Sequence, residues 1–542
     1  MRAKKSNFCT SNLGLTAILY LACGCSAYAD ADAPPANPDN APQASHSLDS
    51  ENPLWLTLED YVAPPVTPGL AYNDLLQRLR EGFELDATLN HRVQAELNWF
   101  VGHPQYLERV FSRSQRYLPY ITRQLEARAL PLELALLPMV ESAYDPFAYS
   151  HGRAAGLWQI IPGTARRFGI RQNWWYDGRR DIVDSTAGAL KYLSYLKQLV
   201  GGDWLLAIAA YNSGEGNVLK AVRRNRARDL PTDFWHLRLS RETSSYVPKL
   251  LALVEIVKHP ASHGLALPEL LYQPQFVGVD VGGQLDLALA AELAGTELNL
   301  LHSFNSGLNR WATDPGGAHR LLVPIAGADR FVAALQKVPV EERVRWRRHK
   351  VVSGDSVSEI AEKYHTTAAS VRSANSMRNN RIRAGDYLMI PVARKPLAAY
   401  GETADARRSR TQNRPRVGKR IEHRVTRGES FWTISRHYGV TTRQLAAWNG
   451  MAPRDTLSIG QRLIVWTEKP GPQTTAMSVG SNATTRKLHY TVRRGDSLYL
   501  IASRFRITIK DLVRWNRIDR NKVLHPGQEL TLFVDVTAQS SS

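Results

Sequence analysis

Residues 136–165 read LLPMVESAYDPFAYSHGRAAGLWQIIPGTA, and this stretch decides the fold and the chemistry of the chain. Glu141 directly follows an apolar run, and a Gly-Leu-Trp-Gln turn at residues 156–159 comes after it. An ionised carboxylate costs free energy among apolar neighbours, so we expect the pKa of Glu141 to be raised. Such a carboxyl group can donate a proton near neutral pH, as the cleavage of a glycosidic bond requires.

The apolar run before Glu141 predicts one buried helix. Pro131 suits the first turn of a helix, and the positions after it are apolar on almost every side. These positions are Leu132, Leu134, Ala135, Leu136, Leu137, Met139 and Val140. We expect Glu141 to emerge at the end of this helix. Glu133 should favour the helix dipole in the first turn, and Asp145 should shape a turn before Pro146.

The surrounding region is predicted to be mainly α. Apolar residues recur at helical spacing between residues 73 and 259, and strand-like runs are scarce. One helix is expected to start at Asp184-Ser185-Thr186 and to stop at Gly201-Gly202.

The part beyond residue 340 repeats itself three times. Each copy opens with a glycine, an acidic residue and a serine, and an asparagine follows 21 residues after the glycine. The triplets are Gly354-Asp355-Ser356, Gly428-Glu429-Ser430 and Gly495-Asp496-Ser497, and the asparagines are Asn375, Asn449 and Asn516. An acidic residue followed by serine favours a helix start, and alternating apolar residues return at the end of each copy. The pattern therefore predicts small βααβ modules.

These repeats resemble the LysM domain at residues 349–392, 423–466 and 489–533. The resemblance implies binding of the N-acetylglucosamine units of peptidoglycan or chitin. It places the three Gly-acidic-Ser triplets on one wall of a shallow sugar groove. The alternative is that the triplets merely turn the chain and cap a helix. Trp448 and Trp515 are expected to pack in the module cores rather than stack on sugar.

A fourth, weaker copy of the pattern precedes the three repeats. Residues 277–326 keep the order of strand, helix, helix with Asn305, and strand, but lack the Gly-acidic-Ser entry. They are interpreted as a degenerate LysM-like spacer, with an unrelated small α/β domain as the alternative.

The linkers at residues 393–420 and 467–487 are polar and show no periodic spacing of apolar residues. We therefore expect the modules to move independently and to bind a polymer with avidity.

Residues 72–262 resemble the lysozyme-like catalytic domain of bacterial lytic transglycosylases. The motifs that carry the resemblance are Glu141-Ser142, Gly156 to Ile160, the run AYNSGEG at residues 210–216, and Glu242-Thr243 with Tyr246-Val247-Pro248. The fold class implied is a mainly α, lysozyme-like domain followed by βααβ LysM modules. Without HExxH or a cysteine pair, no metal and no cofactor are expected.

The resemblance also implies roles for single residues. Glu141 would protonate the β-1,4 bond between N-acetylmuramic acid and N-acetylglucosamine, and would then act as base to give 1,6-anhydromuramic acid ends. Ser142 would support Glu141 by a hydrogen bond. The matching substrate-binding positions are Gln159, Tyr211, Asn212 and Tyr246. Trp158 is expected either to line the sugar groove or to be buried.

Two other functions remain open from the sequence. A hydrolytic muramidase would use Asp145 or Asp181 as a second carboxylate. A non-catalytic scaffold would only bind peptidoglycan, although the complete motifs around Glu141 disfavour it.

The charge of the chain is uneven. From Arg343 to the C-terminus there are 37 Lys and Arg against 15 Asp and Glu, whereas the remainder has 32 against 35. The basic part predicts a surface that meets an acidic polymer or a membrane, with a solvated tail as the alternative. No nucleic-acid partner is expected, because no base-reading motif is present.

The N-terminus predicts export. Residues 1–29 combine basic residues, a short apolar segment and a small-residue cleavage site at Ala27-Tyr28-Ala29, and the polar residues 30–71 form a tether. All three cysteines lie in residues 1–29, so no disulfide is expected in the folded part. A lipoprotein signal that ends before Cys23 or Cys25 is the alternative. We therefore expect a periplasmic protein, soluble or anchored to the outer membrane by lipid.

Overall fold

The computed structural model describes residues 55–56, 74–85, 88–317, 319–467 and, with short gaps, 485–535. The chain forms two compact units, with the division after residue 471. The expected signal peptide, most of the tether and Gly495 lie outside the described residues. In the described part, no helix combines the length and the apolar character that crossing a membrane requires.

The region before residue 262 is helical, which confirms the predicted fold class. Ten α-helices form its described part, with short 3₁₀ turns between them. They are α1 (Leu75–Glu81), α2 (His91–Val101), α3 (Pro104–Ser114), α4 (Leu118–Glu126), α5 (Leu137–Ser142), α6 (Pro162–Arg167), α7 (Ile182–Leu199), α8 (Trp204–Ser213), α9 (Glu215–Arg226) and α10 (Arg241–Lys258). Helix α10 packs against α2 and α8 through a fully buried apolar face.

The expected single helix before Glu141 is two segments. A 3₁₀ helix spans Leu132–Leu136, and α5 follows directly. Pro138 lies in the first turn of α5 and has no N–H to continue a helical ladder, which explains the break. Glu133 lies in the first turn of the 3₁₀ helix, as expected, where it is fully buried and accepts a 2.6 Å hydrogen bond from Leu85 N. Burial raises the pKa of Glu133.

Helix α7 begins earlier than predicted. Asp181 is its N-cap, because its Oδ1 accepts hydrogen bonds of 2.9 Å from Val183 N and Asp184 N. The expected start at Asp184 is therefore three residues late. The helix ends at Leu199, just before Gly201 and Gly202, which both have positive φ.

The first two LysM modules have the predicted βααβ order. The first module contains β4 (Arg345–Lys350), α14 (Val357–Lys363), α15 (Ala368–Ala374) and β5 (Tyr387–Val392). The second contains β6 (Lys419–Arg424), α17 (Phe431–Tyr438), α18 (Thr442–Trp448) and β7 (Arg462–Thr467). In the third, β8 (Thr485–Thr491), α19 (Ile509–Asn516) and β9 (Glu529–Asp535) are described. The two strands of each module pair antiparallel.

Residues 277–326 have the same order of elements. They contain β2 (Phe276–Asp280), α11 (Leu287–Ala294), α12 (Leu298–Phe304) and β3 (Arg320–Pro324), followed by α13 (Ile325–Leu335). Strand β2 pairs antiparallel with β3, and the short β1 (Trp55–Leu56) adds to its other edge in parallel.

One asparagine side chain joins the second helix to the last strand in all four units. In the spacer, Asn305 Nδ2 donates to Leu301 O and Leu322 O, and its Oδ1 accepts from Leu322 N, at 2.7–2.8 Å. Asn375, Asn449 and Asn516 make the same three kinds of bond in the LysM modules. The repeated asparagine therefore has a structural role, and the spacer shares it.

The prediction of a flexible first linker is wrong. Residues 393–420 contain a 3₁₀ turn and helix α16 (Ala404–Gln412). Tyr400 is fully buried and donates to Asp286 of the spacer at 2.9 Å, and Gln412 Nε2 donates to Asn449 Oδ1 of the second module at 2.9 Å. Because α16 is polar and single side chains anchor the linker, the sequence shows no periodic spacing of apolar residues that would have predicted this helix. Residues 468–484 of the second linker lie outside the described residues, and avidity through that linker stays a prediction.

Replacing Asn305 by alanine should loosen the last strand of the spacer. The change leaves the buried N–H and C=O of Leu322 without the side chain that satisfies them, at a cost of about 1–3 kcal/mol each. Hydrogen exchange by mass spectrometry should show faster exchange across Arg320–Pro324. Asn413→Ala, at an exposed asparagine, is the control. Unchanged protection of Arg320–Pro324 would rule out the structural role of Asn305.

Candidate active site

Glu141 lies in the last turn of α5 and is buried. Glu141 is only 6% exposed, and the hydroxyl of Tyr246 donates a hydrogen bond to Glu141 Oε1. Tyr246 comes from α10, which packs against α5, and is 4% exposed. The carboxyl group expected to carry the chemistry is thus held by a residue 105 positions away.

The loop after Glu141 has an unusual backbone. Of the eight described non-glycine residues with positive φ, four lie between residues 143 and 159. They are Ala143, Tyr144, Arg153 and Gln159. A left-handed conformation costs a non-glycine residue about 1 kcal/mol or more, so the surrounding contacts must hold this loop. Strain of this kind is concentrated at functional sites.

The Gly-Leu-Trp-Gln turn is fixed by a close backbone approach. Gly156 has φ +80°, and a Cβ atom at this position would lie 1.9 Å from Arg179 O. Gln159 Nε2 donates to Gly156 O at 2.9 Å. Trp158 is fully buried, with its Nε1 donating to Thr186 Oγ1 at 3.0 Å, so it packs in the core and does not line a groove.

Ser142 does not bond to Glu141 as expected. Its hydroxyl donates to Leu157 O at 2.9 Å and to Pro138 O at 3.1 Å, so it ties the end of α5 to the turn. The Ser142 side chain points back along α5, where the carbonyl of Pro138, four residues earlier, accepts its hydrogen bond.

The other expected site residues hold the turn and α10. Tyr211 OH donates to Trp158 O at 2.7 Å, which connects α8 to the turn. Asn212 Oδ1 accepts a 2.9 Å hydrogen bond from Thr243 Oγ1 on α10. Thr186 and Thr243 were not singled out from the sequence as site residues, because nothing in a threonine's local pattern shows which distant group it will bond.

The candidate second carboxylates have structural partners. Asp145 Oδ1 accepts from Phe147 N at 2.9 Å, which confirms the expected turn. Asp181 caps α7 and pairs with Arg320 at 2.8 Å. Glu215 in the AYNSGEG run pairs with Arg167 at 2.9 Å, and although burial opposes ionisation, its hydrogen bonds and Arg167 lower the pKa of Glu215.

The LysM triplets make contacts within their own modules. Asp355 Oδ2 accepts from Val352 N at 2.9 Å, and Glu429 Oε2 accepts from Thr426 N at 2.7 Å. Ser356 and Ser430 each cap the helix that follows. Gly354 and Gly428 have φ of +94° and +87°. In the third module, Asp496 Oδ2 accepts a hydrogen bond of 2.6 Å from the Tyr490 hydroxyl. These contacts give the triplets a structural role, whether or not they also bind sugar. Trp448 packs partly buried against its module core, as expected.

Three family models match parts of the chain. The model described as the transglycosylase SLT domain matches residues 120–233, and the LysM domain matches residues 349–391, 423–466 and 490–533. The LysM-like domain of lytic transglycosylase MltD matches residues 275–340. Within the described ranges, no three His, Cys, Asp or Glu side chains come together to hold a metal ion.

Known proteins share long parts of the chain. The membrane-bound lytic murein transglycosylase D of Escherichia coli is 33% identical over 461 residues, which is 85% of this chain and 86% of that protein. An N-acetylmuramoyl-L-alanine amidase of Staphylococcus aureus is 29% identical over 195 residues, or 36% of this chain and 55% of that one. The crystal structure of the 70 kDa soluble lytic transglycosylase from Escherichia coli aligns over 32% of each chain, at 20% identity and a TM-score of 0.23.

Gly156→Ala should destabilise the turn and abolish activity. Both the left-handed backbone and the clash with Arg179 O oppose a side chain, at a cost of about 3 kcal/mol. We expect a fall of about 6–12 °C in the thermal midpoint of the catalytic domain, measured by scanning calorimetry of the full chain. Gly163→Ala is the matched control, since Gly163 lies in α6 with open space around its Cβ position. Equal midpoints for the two variants would contradict this role of Gly156.

Proposed function

Because the chain belongs to the family of membrane-bound lytic murein transglycosylase D and is a lytic transglycosylase that acts on peptidoglycan, we propose that Glu141 is its catalytic acid and base. The burial of Glu141 beside Tyr246 is the observation that carries the proposal. Removal from water favours the protonated form of a carboxyl group, and a general acid must be protonated to act.

In the first step, Glu141 donates its proton to the oxygen that links N-acetylmuramic acid to N-acetylglucosamine. The bond from this oxygen to C1 of the muramic acid breaks, and positive charge develops at C1. Glu141 is left as a carboxylate, which the Tyr246 hydroxyl stabilises by its hydrogen bond.

In the second step, the Glu141 carboxylate takes the proton of the muramic acid C6 hydroxyl. The C6 oxygen attacks C1 and closes a 1,6-anhydro ring, so the substrate replaces the water of a hydrolase. Glu141 ends the cycle protonated, and a second carboxylate is not needed. The structural partners of Asp145 and Asp181 support this scheme over the muramidase scheme.

The remaining site residues are proposed to hold and contact the sugar. Gln159 and Asn212 present amide groups near the turn and α10, and Tyr211 fixes the position of Trp158. Ser142 is proposed to act indirectly, by tying Glu141's helix to Leu157.

The LysM modules bind glycan, and their grooves are proposed to use the Gly-acidic-Ser triplets. We further propose that the protein works in the periplasm after cleavage behind Ala29, with a lipid anchor to the outer membrane on Cys23 or Cys25 as the alternative. The support is the apolar segment with neighbouring cysteines at the N-terminus. Mass spectrometry of the mature N-terminus distinguishes an acylated cysteine from cleavage after Ala29.

Glu141→Gln should abolish cleavage and leave binding intact. Glutamine keeps the size of the side chain but cannot donate or accept the proton, so we expect a loss of about a thousandfold or more. Digestion of murein sacculi followed by mass spectrometry should give 1,6-anhydromuramic acid ends with the native chain and none with the variant. Undiminished cleavage by the variant would refute the assignment of Glu141. Reducing ends from the native chain would indicate the hydrolytic muramidase.

Tyr246→Phe should move the pH profile upward. The hydroxyl donates to the carboxylate and so favours its ionised form; without this bond Glu141 keeps its proton to higher pH. We expect the alkaline limb of kcat/KM to shift up by about one pH unit, the equivalent of about 1.4 kcal/mol. Tyr195→Phe, at a tyrosine packed beside Phe168, is the control. An unchanged limb would show that Tyr246 does not act on the acid.

A further inference from the structure

The second LysM module contacts the segment that follows Glu141. Asp455 lies between α18 and β7, and its Oδ1 and Oδ2 accept from Tyr149 OH at 2.9 and 3.1 Å. The same carboxylate forms an ion pair with Arg153, with 3.0 Å between Arg153 Nε and Asp455 Oδ1. The Asp455 side chain is 15% exposed and that of Arg153 is 43% exposed, so the carboxylate is largely enclosed while the arginine end of the ion pair lies partly in solvent. The hydrogen bonds from the Tyr149 hydroxyl to this carboxylate are charge-assisted and are the stronger part of the contact.

Both contacted residues belong to the strained active-site loop. Tyr149 pairs with Ala155, and Ala155 pairs with Ile160, the residue after Gln159. Arg153 has positive φ, and its carbonyl accepts from Arg179 Nη1 at 2.6 Å. Asp455 thus contacts the loop that connects Glu141 to the Gly-Leu-Trp-Gln turn.

The first linker supports the same segment. Arg407 on α16 lies over the ring of Phe147, at 4.7 Å from its centroid. At the other end of α16, Gln412 bonds to Asn449 of the second module. The module is therefore joined to the loop by two routes, one through α16 and one through Asp455.

The charges at this contact favour a stable bond. Burial and the neighbouring Asp455 raise the pKa of Tyr149 to about 12, so the hydroxyl remains a donor at neutral pH. Arg180 lies 5.5 Å from the centre of the Tyr149 ring and carries positive charge toward it. Burial and the positive charge of Arg443 lower the pKa of the His151 imidazole in the same loop.

We propose that Asp455 is a positioning residue for catalysis, through which the second LysM module holds the active-site loop in its working conformation. A loop with four left-handed residues needs contacts that offset its strain, and this module contacts one of the four, Arg153, together with Tyr149 of the same loop. The inference rests on the proposed function, because it requires the loop beside Glu141 to be the catalytic loop. It gives the module a second role besides binding glycan.

The test compares Asp455→Asn and Arg153→Gln in the full chain on a soluble murein tetrasaccharide and on sacculi. Asparagine still accepts from Ala452 N, which Asp455 bonds at 2.8 Å, so the module's own turn is kept. We expect each variant to lower kcat on the tetrasaccharide by about three- to tenfold with little change in KM, because a misplaced catalytic group slows the chemical step. The double variant should be no worse than Asp455→Asn alone, and Asp455→Glu should retain part of the activity that Asp455→Asn loses.

Glu422→Gln is the matched control, since Glu422 lies on β6 of the same module and pairs with Arg462 at 3.6 Å. It should leave kcat on the tetrasaccharide unchanged. If kcat is unchanged in Asp455→Asn and Arg153→Gln as well, the inference is overturned and the module is a tether alone. A rise of KM on sacculi with unchanged kcat on the tetrasaccharide would overturn it equally. Glu141→Gln in the same assay separates this outcome from a failure of the proposed function, which would show as retained cleavage.

Discussion

The burial of the Glu141 carboxyl group beside the Tyr246 hydroxyl is the constraint on which the catalytic domain depends. A buried carboxyl group is costly unless its oxygens are bonded, and the bond comes from α10, whose apolar face is buried in the domain core. Ser142 and Tyr211 then fix the turn at Leu157 and Trp158. The acid, the turn and α10 are thereby held in one arrangement.

The four LysM-like units show which part of the repeat makes the fold. Asn305, Asn375, Asn449 and Asn516 all join the second helix to the last strand, although the spacer lacks the Gly-acidic-Ser entry. The asparagine is therefore a requirement of the fold, whereas the entry loop can be lost. The spacer instead contacts neighbouring elements, and Asp286 accepts a hydrogen bond from the Tyr400 hydroxyl of the first linker.

Local patterns predicted much of this structure. The βααβ order followed from glycine, capping serine and alternating strands, and the helical domain followed from apolar spacing. Glu141 was predicted as the site because one acid followed an apolar run. Contacts between distant residues could not be predicted in this way. Tyr149 and Asp455 are 306 positions apart, and neither lies in a pattern that identifies a partner. The prediction of a flexible first linker was wrong for the same reason, since single side chains such as Tyr400 and Gln412 hold it through contacts with distant residues.

A single carboxyl group, that of Glu141, is proposed to serve both steps of the reaction. The most direct test is a crystal structure of the full chain with Glu141→Gln, soaked with a murein oligosaccharide that spans the cleft. We expect the side chain of residue 141 within about 3 Å of the scissile oxygen, the muramic acid C6 hydroxyl within hydrogen-bond distance of the same side chain, and no second carboxylate beside C1. A carboxylate such as Asp145 or Asp181 placed against C1, or a scissile oxygen far from residue 141, would contradict it.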